Sequence, residues 1–359
     1  MKRHPNLSIR TAEATSLTRS TSFNRTNVAT FYSNLNEVLV KHKFEACQIY
    51  NIDETALTTV HKPPKVVARK NCRQVGVSTS AERGTLVTLV GCINAQGGYN
   101  FKSVMLNGAP PGSAGSAHPS GWINQDIFME WLKHFTKHSN CSPQHPVLLL
   151  MDNHASHVSI SVIEEAKSRG IVLLTFPPHT SHKLQPLDRT VYGPLKKRYN
   201  DSCNHWMVSN PGRTITIYEI GGLLGTSFHK AFTPSNIISG FRVSGVFPFN
   251  ADIFSDDEFL GSEVTNRPAP NMDSTNTPSD MMTMSATEFS IDAPSTSTSH
   301  VIATSKPVTP IEIRPFPKAA PRKNNTKRRK IKSLILTNTP VKGKIMEELE
   351  SRKIQRELN

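Results

Sequence analysis

The chain has 359 residues, 42 Lys and Arg against 28 Asp and Glu, and a formal net charge of +14. A chain this long encloses one core of about 200 residues and still has long tails, and its charge favours polyanionic partners, nucleic acid first. Five cysteines at 47, 72, 92, 141 and 203 form no C-x-x-C pair, no apolar run reaches membrane-spanning length, and MKRHPNLSIR lacks a signal-peptide core, so a zinc ribbon, a disulfide framework, a membrane helix and a secretory leader are all disfavoured.

The first predicted element is a helix over 26–42, where Val28, Phe31, Tyr32, Leu35, Val38 and Leu39 recur at three-and-four spacing behind Thr26 and Asn27 as candidate caps. From Cys47 the pattern turns to β. Cys47–Asp53 is a short strand, and Thr85–Ala95 is rich in β-branched residues and ends at Gly97-Gly98. Tyr99–Leu106 then returns antiparallel beside it. After a Gly/Pro/Ser/Ala loop at 107–121, Gln125–Lys137 aligns Ile127, Phe128, Trp131, Leu132 and Phe135 on one helix face, with Asn124 as N-cap. Val147–Met151 suits a strand buried on both faces. Val158–Arg169 is helical up to Gly170, Ile171–Phe176 is the next buried strand, and together they make a βαβ unit. A further helix runs through Tyr192, Leu195, Lys196 and Tyr199.

This order places three carboxylates together. Asp53 and Asp152 fall at the C-terminal ends of parallel strands, the edge where open α/β sheets place ligands, and Asp188 lies near a helix N-terminus, whose partial positive charge favours an ionised aspartate. Converging carboxylates repel unless a cation joins them, so the arrangement points to hard divalent ions, Mg²⁺ or Mn²⁺, on oxygen ligands. Glu54 points to the opposite side of its strand and has a supporting or structural role. Asn153 and His154 open the turn after Asp152, where they hydrogen-bond to a ligand or contact phosphate. The pairs His154/His157 and His179/His182 read as turn and cap histidines at the rim, because Pro177-Pro178 makes the second pair a rigid loop and no cysteine lies nearby to complete a zinc site.

The stretches NIDET at 51–55, LLLMDNHASH at 148–157, FPPHTSHKLQPLDRTVYGPLK at 176–196 and GFRVSGVFPFN at 240–250, with 98 residues between the first two aspartates and 35 between the second and third, resemble the DDE/D transposase superfamily. Within it they resemble the pogo, Tigger and jerky-like group that includes the centromere-protein-B relatives. The resemblance covers roughly residues 1–260. It implies an α/β, RNase H-like fold with a mixed five-stranded sheet flanked by helices. It also implies that Asp53, Asp152 and Asp188 are the catalytic, metal-binding triad of an endonuclease or strand-transfer enzyme acting on DNA phosphodiesters. Lys196, Lys197 and Arg198 then line the helix beside the metals, placed to hold the scissile strand. Ala56 stands where the family usually has glycine. MKRHPNLSIR resembles the last turn of a helix-turn-helix region, and the DNA-reading helices that normally lie upstream of it are absent from this chain. The alternative of a different class is a domesticated nuclear DNA-binding or chromatin protein without catalytic activity.

Three segments are therefore expected: a helical linker at 1–45, the catalytic domain at 46–255, and a largely disordered tail at 256–359. Residues 261–310 are about half Ser, Thr and Pro, too poor in large apolar side chains to offset the entropy of ordering. The tail splits in charge, with residues 261–300 summing to −4 and 301–359 to +10. A basic cluster at 322–332, above all Lys327, Arg328, Arg329 and Lys330, reads as a nuclear import signal. Lys342–Leu358 has the composition of a charged helix. DNA is the expected partner, with an import receptor and a second copy of the chain as further candidates, no membrane, and the nucleus as compartment.

Overall fold

The computed structural model describes residues 14–71, 74–98, 108–110, 113–116, 123–154, 157–265 and 332–338, with 340, 341, 343, 345–347 and 351. Helices α1 (Leu17–Ser22) and α2 (Arg25–His42) precede the sheet. The cap of α2 is Asn24 and not Thr26 or Asn27, because Asn24 keeps an extended backbone and its side chain accepts the Asn27 N–H at 2.9 Å. Strands β1 (Ile49–Thr58) and β2 (Leu86–Asn94) form an antiparallel hairpin, followed by α3 (Gln125–Ser139), which starts at the expected Asn124 cap. Next come β3 (Val147–Met151), α4 (Ile160–Ser168) and β4 (Ile171–Thr175). Gly170, at φ +73°, makes the turn from α4 into β4; a Cβ there would lie 2.1 Å from the Ser142 carbonyl oxygen. The chain then passes through α5 (Ser181–Leu184), a π-helical turn (Leu187–Val191), α6 (Tyr192–Ser209), α7 (Ile217–Ala231), α8 (Pro234–Val243) and α9 (Leu260–Thr265).

The sheet order is β2-β1-β3-β4, with β1 parallel to β3 and β3 parallel to β4. An antiparallel hairpin on one side and a parallel βαβ unit on the other is the RNase H-like arrangement. All five side chains of β3 are buried, because both faces are covered. Leu148, Leu150 and Leu174 join Phe31 and Leu35 of α2, Tyr192 and Leu195 of α6, Phe228 of α7 and Phe241 of α8. Leu149, Met151 and Leu173 join Phe128 and Leu132 of α3 and Val162 and Ile163 of α4. The period-2 alternation of a strand divides one apolar run between two cores.

Three expectations change. First, β1 does not end at Asp53 but continues five residues to Thr58, paired with β2 throughout. Second, the described residues hold four strands in the sheet, and the expected strand Tyr99–Leu106 lies outside them. Third, parts of the segment assigned to the tail pack on the cores, as the helix at 26–42 also does through Phe31 and Leu35: Phe259 stacks on Phe23 with centroids 5.1 Å apart, and Ile335 and Leu336 are buried at the edge of β4. At that edge Thr175 N–H donates to the Leu334 carbonyl at 3.1 Å and Leu336 N–H donates to the Leu173 carbonyl at 3.0 Å, an antiparallel pairing across Leu174 and Ile335. Apolar burial and ladder bonds together hold this short segment. Lys327, Arg328, Arg329 and Lys330 lie outside the described residues, as does most of the Ser/Thr/Pro-rich stretch.

Candidate active site

Strand β1 pairs with β3 only over Ile49–Asn51, while its pairing with β2 runs on to Thr58. Asp53 therefore stands where β1 parts from β3, inside a strand and not at its end. Asp152 follows β3 directly, and Asp188 sits in the π-helical turn that leads into α6. Single π turns within helices recur at functional sites.

On the Asp53 side the carboxylates are held by neutral hydrogen bonds. Two residues before Asp53, on the same face of β1, the buried Asn51 side chain donates to the Leu150 carbonyl at 3.2 Å and to Gln185 Oε1 at 3.1 Å; its own Oδ1 accepts the Leu187 N–H at 3.1 Å. Gln185, also buried, returns a bond from Nε2 to the Ile52 carbonyl at 3.1 Å. These two amides fasten β1, β3 and the turn bearing Asp188 to one another. Tyr192 Oη donates to the Asp53 carbonyl and accepts the Gly91 N–H at 3.2 Å. Gly91 faces Asp53 across the hairpin, and a Cβ at that position would lie 2.7 Å from Tyr192 Oη. Glycine leaves the hydroxyl room to enter.

On the Asp152 side the holding group is charged. His157 is buried against Phe128, with ring centroids 4.3 Å apart, and its Nδ1 lies 2.8 Å from Asp152 Oδ1 while Nε2 lies 3.0 Å from Glu54 Oε1. Both ring nitrogens face carboxylate oxygens, so the ring serves best as a double donor, an imidazolium. Burial alone would lower the His157 pKa, but the bonds and charges of Asp152 and Glu54 raise it to about 9. The His154 N–H adds a second bond to Asp152 Oδ1 at 3.0 Å. Burial acts to raise the Asp152 carboxyl, yet His157 and the His154 amide outweigh it and hold it below the usual range.

Asp53 is driven the other way. Burial, then the charge of Asp188, raise its carboxyl well above the ordinary range; the Gln185 side chain and Glu54 amide oppose this, and Asp152 adds to it. Asp188 is raised by burial and eased back by Lys196 and Arg19. Burial outweighs the helix-start effect expected there.

Lys196 and Lys197 are exposed on α6, and Lys196 is near enough to act on Asp188. His154 is exposed, and the Asn153 side chain donates to the Lys332 carbonyl at 3.2 Å. His179 sits in a left-handed turn, and His182 packs edge-on against Phe23. The holding groups Asn51, Gln185, Tyr192 and Gly91 are absent from the predicted set, and His157 has a larger role than a rim cap. For Asn51 a signal was present: it is a polar residue on a buried strand, in phase with Asp53.

The donor set suits a hard divalent cation, since it is all oxygen and its members oppose one another's ionisation. Among the described residues, no three His, Cys, Asp or Glu side chains form a closed metal-holding group. Asp188 and Asp152 are nonetheless near enough to oppose the ionisation of Asp53.

The DDE superfamily endonuclease family matches residues 88–241, a span that includes Asp152 and Asp188. The pogo transposable element with KRAB domain of Homo sapiens is 24% identical over 176 residues, 47% of this chain and 29% of that protein. Over these stretches the chain is similar to the DDE superfamily and to pogo transposable elements. A protein named MFS-type transporter clz9, from Cochliobolus lunatus, is 30% identical over 240 residues, 60% of this chain and 25% of that one. The chain spans 25% to 29% of the length of these curated relatives, and no helix among its described residues is long and apolar enough to cross a membrane. Among solved structures, the Mos1 mariner paired end complex with Mn aligns over 67% of this chain and 65% of its own, with TM-score 0.44 at 14% identity. The corresponding complex with Mg aligns with TM-score 0.39 at 12% identity.

Proposed function

We propose that this DDE domain cleaves, and transfers strands at, DNA phosphodiesters with Mg²⁺ or Mn²⁺ held by Asp53, Asp152 and Asp188. The observation that carries this reading is the buried Asp53 carboxyl, whose ionisation is opposed first by burial and then by the charges of Asp188 and Asp152, a cost that a divalent cation relieves. Bound in pairs, such ions activate a water or 3′-hydroxyl and stabilise the leaving oxygen. The residues around them do the positioning. Asn51 and Gln185 fix the turn bearing Asp188 against β1, Tyr192 fixes the Asp53 backbone, and the Glu54–His157 pair fixes Asp152 and keeps it ionised. Lys196, exposed beside Asp188, supplies positive charge for the phosphate backbone.

Supercoiled plasmid DNA incubated with the purified chain and Mn²⁺ tests the reading. Nicking should occur with the wild type and vanish with Asp53→Asn, Asp152→Asn or Asp188→Asn. Mn²⁺ should also stabilise the wild type against heat by about 2.7 kcal/mol at a hundredfold excess over its dissociation constant. Nicking and metal stabilisation that survive all three substitutions would overturn the proposal.

A further inference from the structure

C-terminal to the family match, the segment 332–338 is bonded to the edge of the sheet at β4. It runs antiparallel to β4, so its leading end lies at the C-terminal end of β4, the edge from which Asp152 also emerges. Besides the two ladder bonds already given, Ser333 Oγ donates to the Thr175 carbonyl at 2.6 Å, Leu334 N–H donates to Thr175 Oγ1 at 3.1 Å, and Asn34 Nδ2 donates to the Ser333 carbonyl at 3.0 Å. Asn153, the neighbour of Asp152, holds the carbonyl of Lys332. Ser333 and Leu336 are buried, whereas Lys332 is exposed. An exposed lysine is thereby fixed through its backbone to the residue that follows a site carboxylate. Arg19 from α1 and Lys196 from α6, both exposed, bring positive charge to Asp188 from other elements.

We infer that residues 332–338 are an edge strand of the catalytic unit, whose purpose is to hold Lys332 at the carboxylate edge as a ligand for the phosphate backbone of duplex DNA. This rests on the nucleic-acid reading proposed above. A lysine that neutralises one phosphate releases condensed counterion, so each such contact steepens the fall of log K with log salt by about 0.9. The anchoring makes the contact depend on the strand and not only on the charge.

The test is the salt dependence of binding to a mixed-sequence duplex, followed by fluorescence anisotropy in the full chain without divalent metal. Lys332→Ala should lower the slope by about 0.9, Lys332→Arg should restore it, and Lys306→Ala, with the same charge change elsewhere in the tail, should leave it unchanged. Leu336→Ser removes the buried anchor without touching any charge and should lower the slope as Lys332→Ala does. Amide exchange at Thr175 and Leu336 reports whether the strand has come away, and thermal unfolding reports whether the rest stays folded. Equal loss from Lys306→Ala and Lys332→Ala would reduce the effect to bulk tail charge and overturn the inference. An undocked Leu336→Ser chain with the full slope would do the same. Absence of nicking with this binding pattern intact would instead count against the catalytic reading alone.

Discussion

Asp53 and Asp152 stand on neighbouring parallel strands, yet their charges are prepared in opposite ways. Asp152 has a cationic partner, His157, itself backed by Glu54, and is ionised by default. Asp53 has only amides and a tyrosine about its backbone, faces Asp188, and resists ionisation. A site intended merely to be stable would pair both carboxylates. One satisfied carboxylate and one frustrated pair make an arrangement whose missing component is positive charge.

The widest break in this comparison is chemical. Asp53→Asn and Asp152→Asn should each cut Mn²⁺-dependent nicking by a factor of about 10³ or more, since several kcal/mol of transition-state stabilisation goes with the metal; gel assays of plasmid relaxation measure it. Next is Asn51→Ala, which leaves the Leu187 N–H and Leu150 carbonyl without their side-chain partner and should cost about 3 kcal/mol in denaturant unfolding. A loss under 1 kcal/mol there would mean that water replaces the amide and the fastening is dispensable. His157→Gln removes the cation between Asp152 and Glu54 and should cost about 2 kcal/mol, discounted from a fully buried pair because Asp152 is 41% exposed. Gly91→Ala drives a methyl against Tyr192 Oη and should cost about 1.5 kcal/mol. The smallest effect is the sharpest. In metal-free buffer Asp53→Asn should raise the unfolding temperature by relieving repulsion, while Asp152→Asn should lower it by leaving His157 half-paired, each by about 1 kcal/mol equivalent. Shifts of the same sign would erase the distinction between the two carboxylates.

Much of the sheet was legible in the sequence because its signals are local. Val147–Met151 is an uninterrupted apolar run between turn residues, and the Asn124 cap precedes a clear amphipathic stripe, so both elements emerge as expected. Strand β1 was read too short because Glu54–Thr58 alternates exposed and buried residues without a strong apolar run, and only pairing with β2 reveals it. The carboxylates themselves could be named from motif and order. Their supports could not, because Asn51 and Gln185 are 134 positions apart and His157 meets Glu54 across 103. No periodicity encodes such meetings. The edge strand escaped notice for a similar reason: Ser333–Leu336 is four residues beside a basic cluster, and its burial depends on β4 being there to receive it.

That edge strand also sets a timetable for the chain. Asn34, in the second helix, bonds to Ser333 across 299 positions, so the helix must wait for nearly 300 further residues before that contact can form. Until then β4 presents an unpaired row of backbone donors and acceptors, the kind of edge that recruits strands from other chains. Synthesis at about 5–20 residues per second leaves that edge open for about 10–30 seconds while the residues between β4 and Ile335 are made. The length of the stretch between β4 and its edge strand therefore sets how long the sheet is open to mispairing.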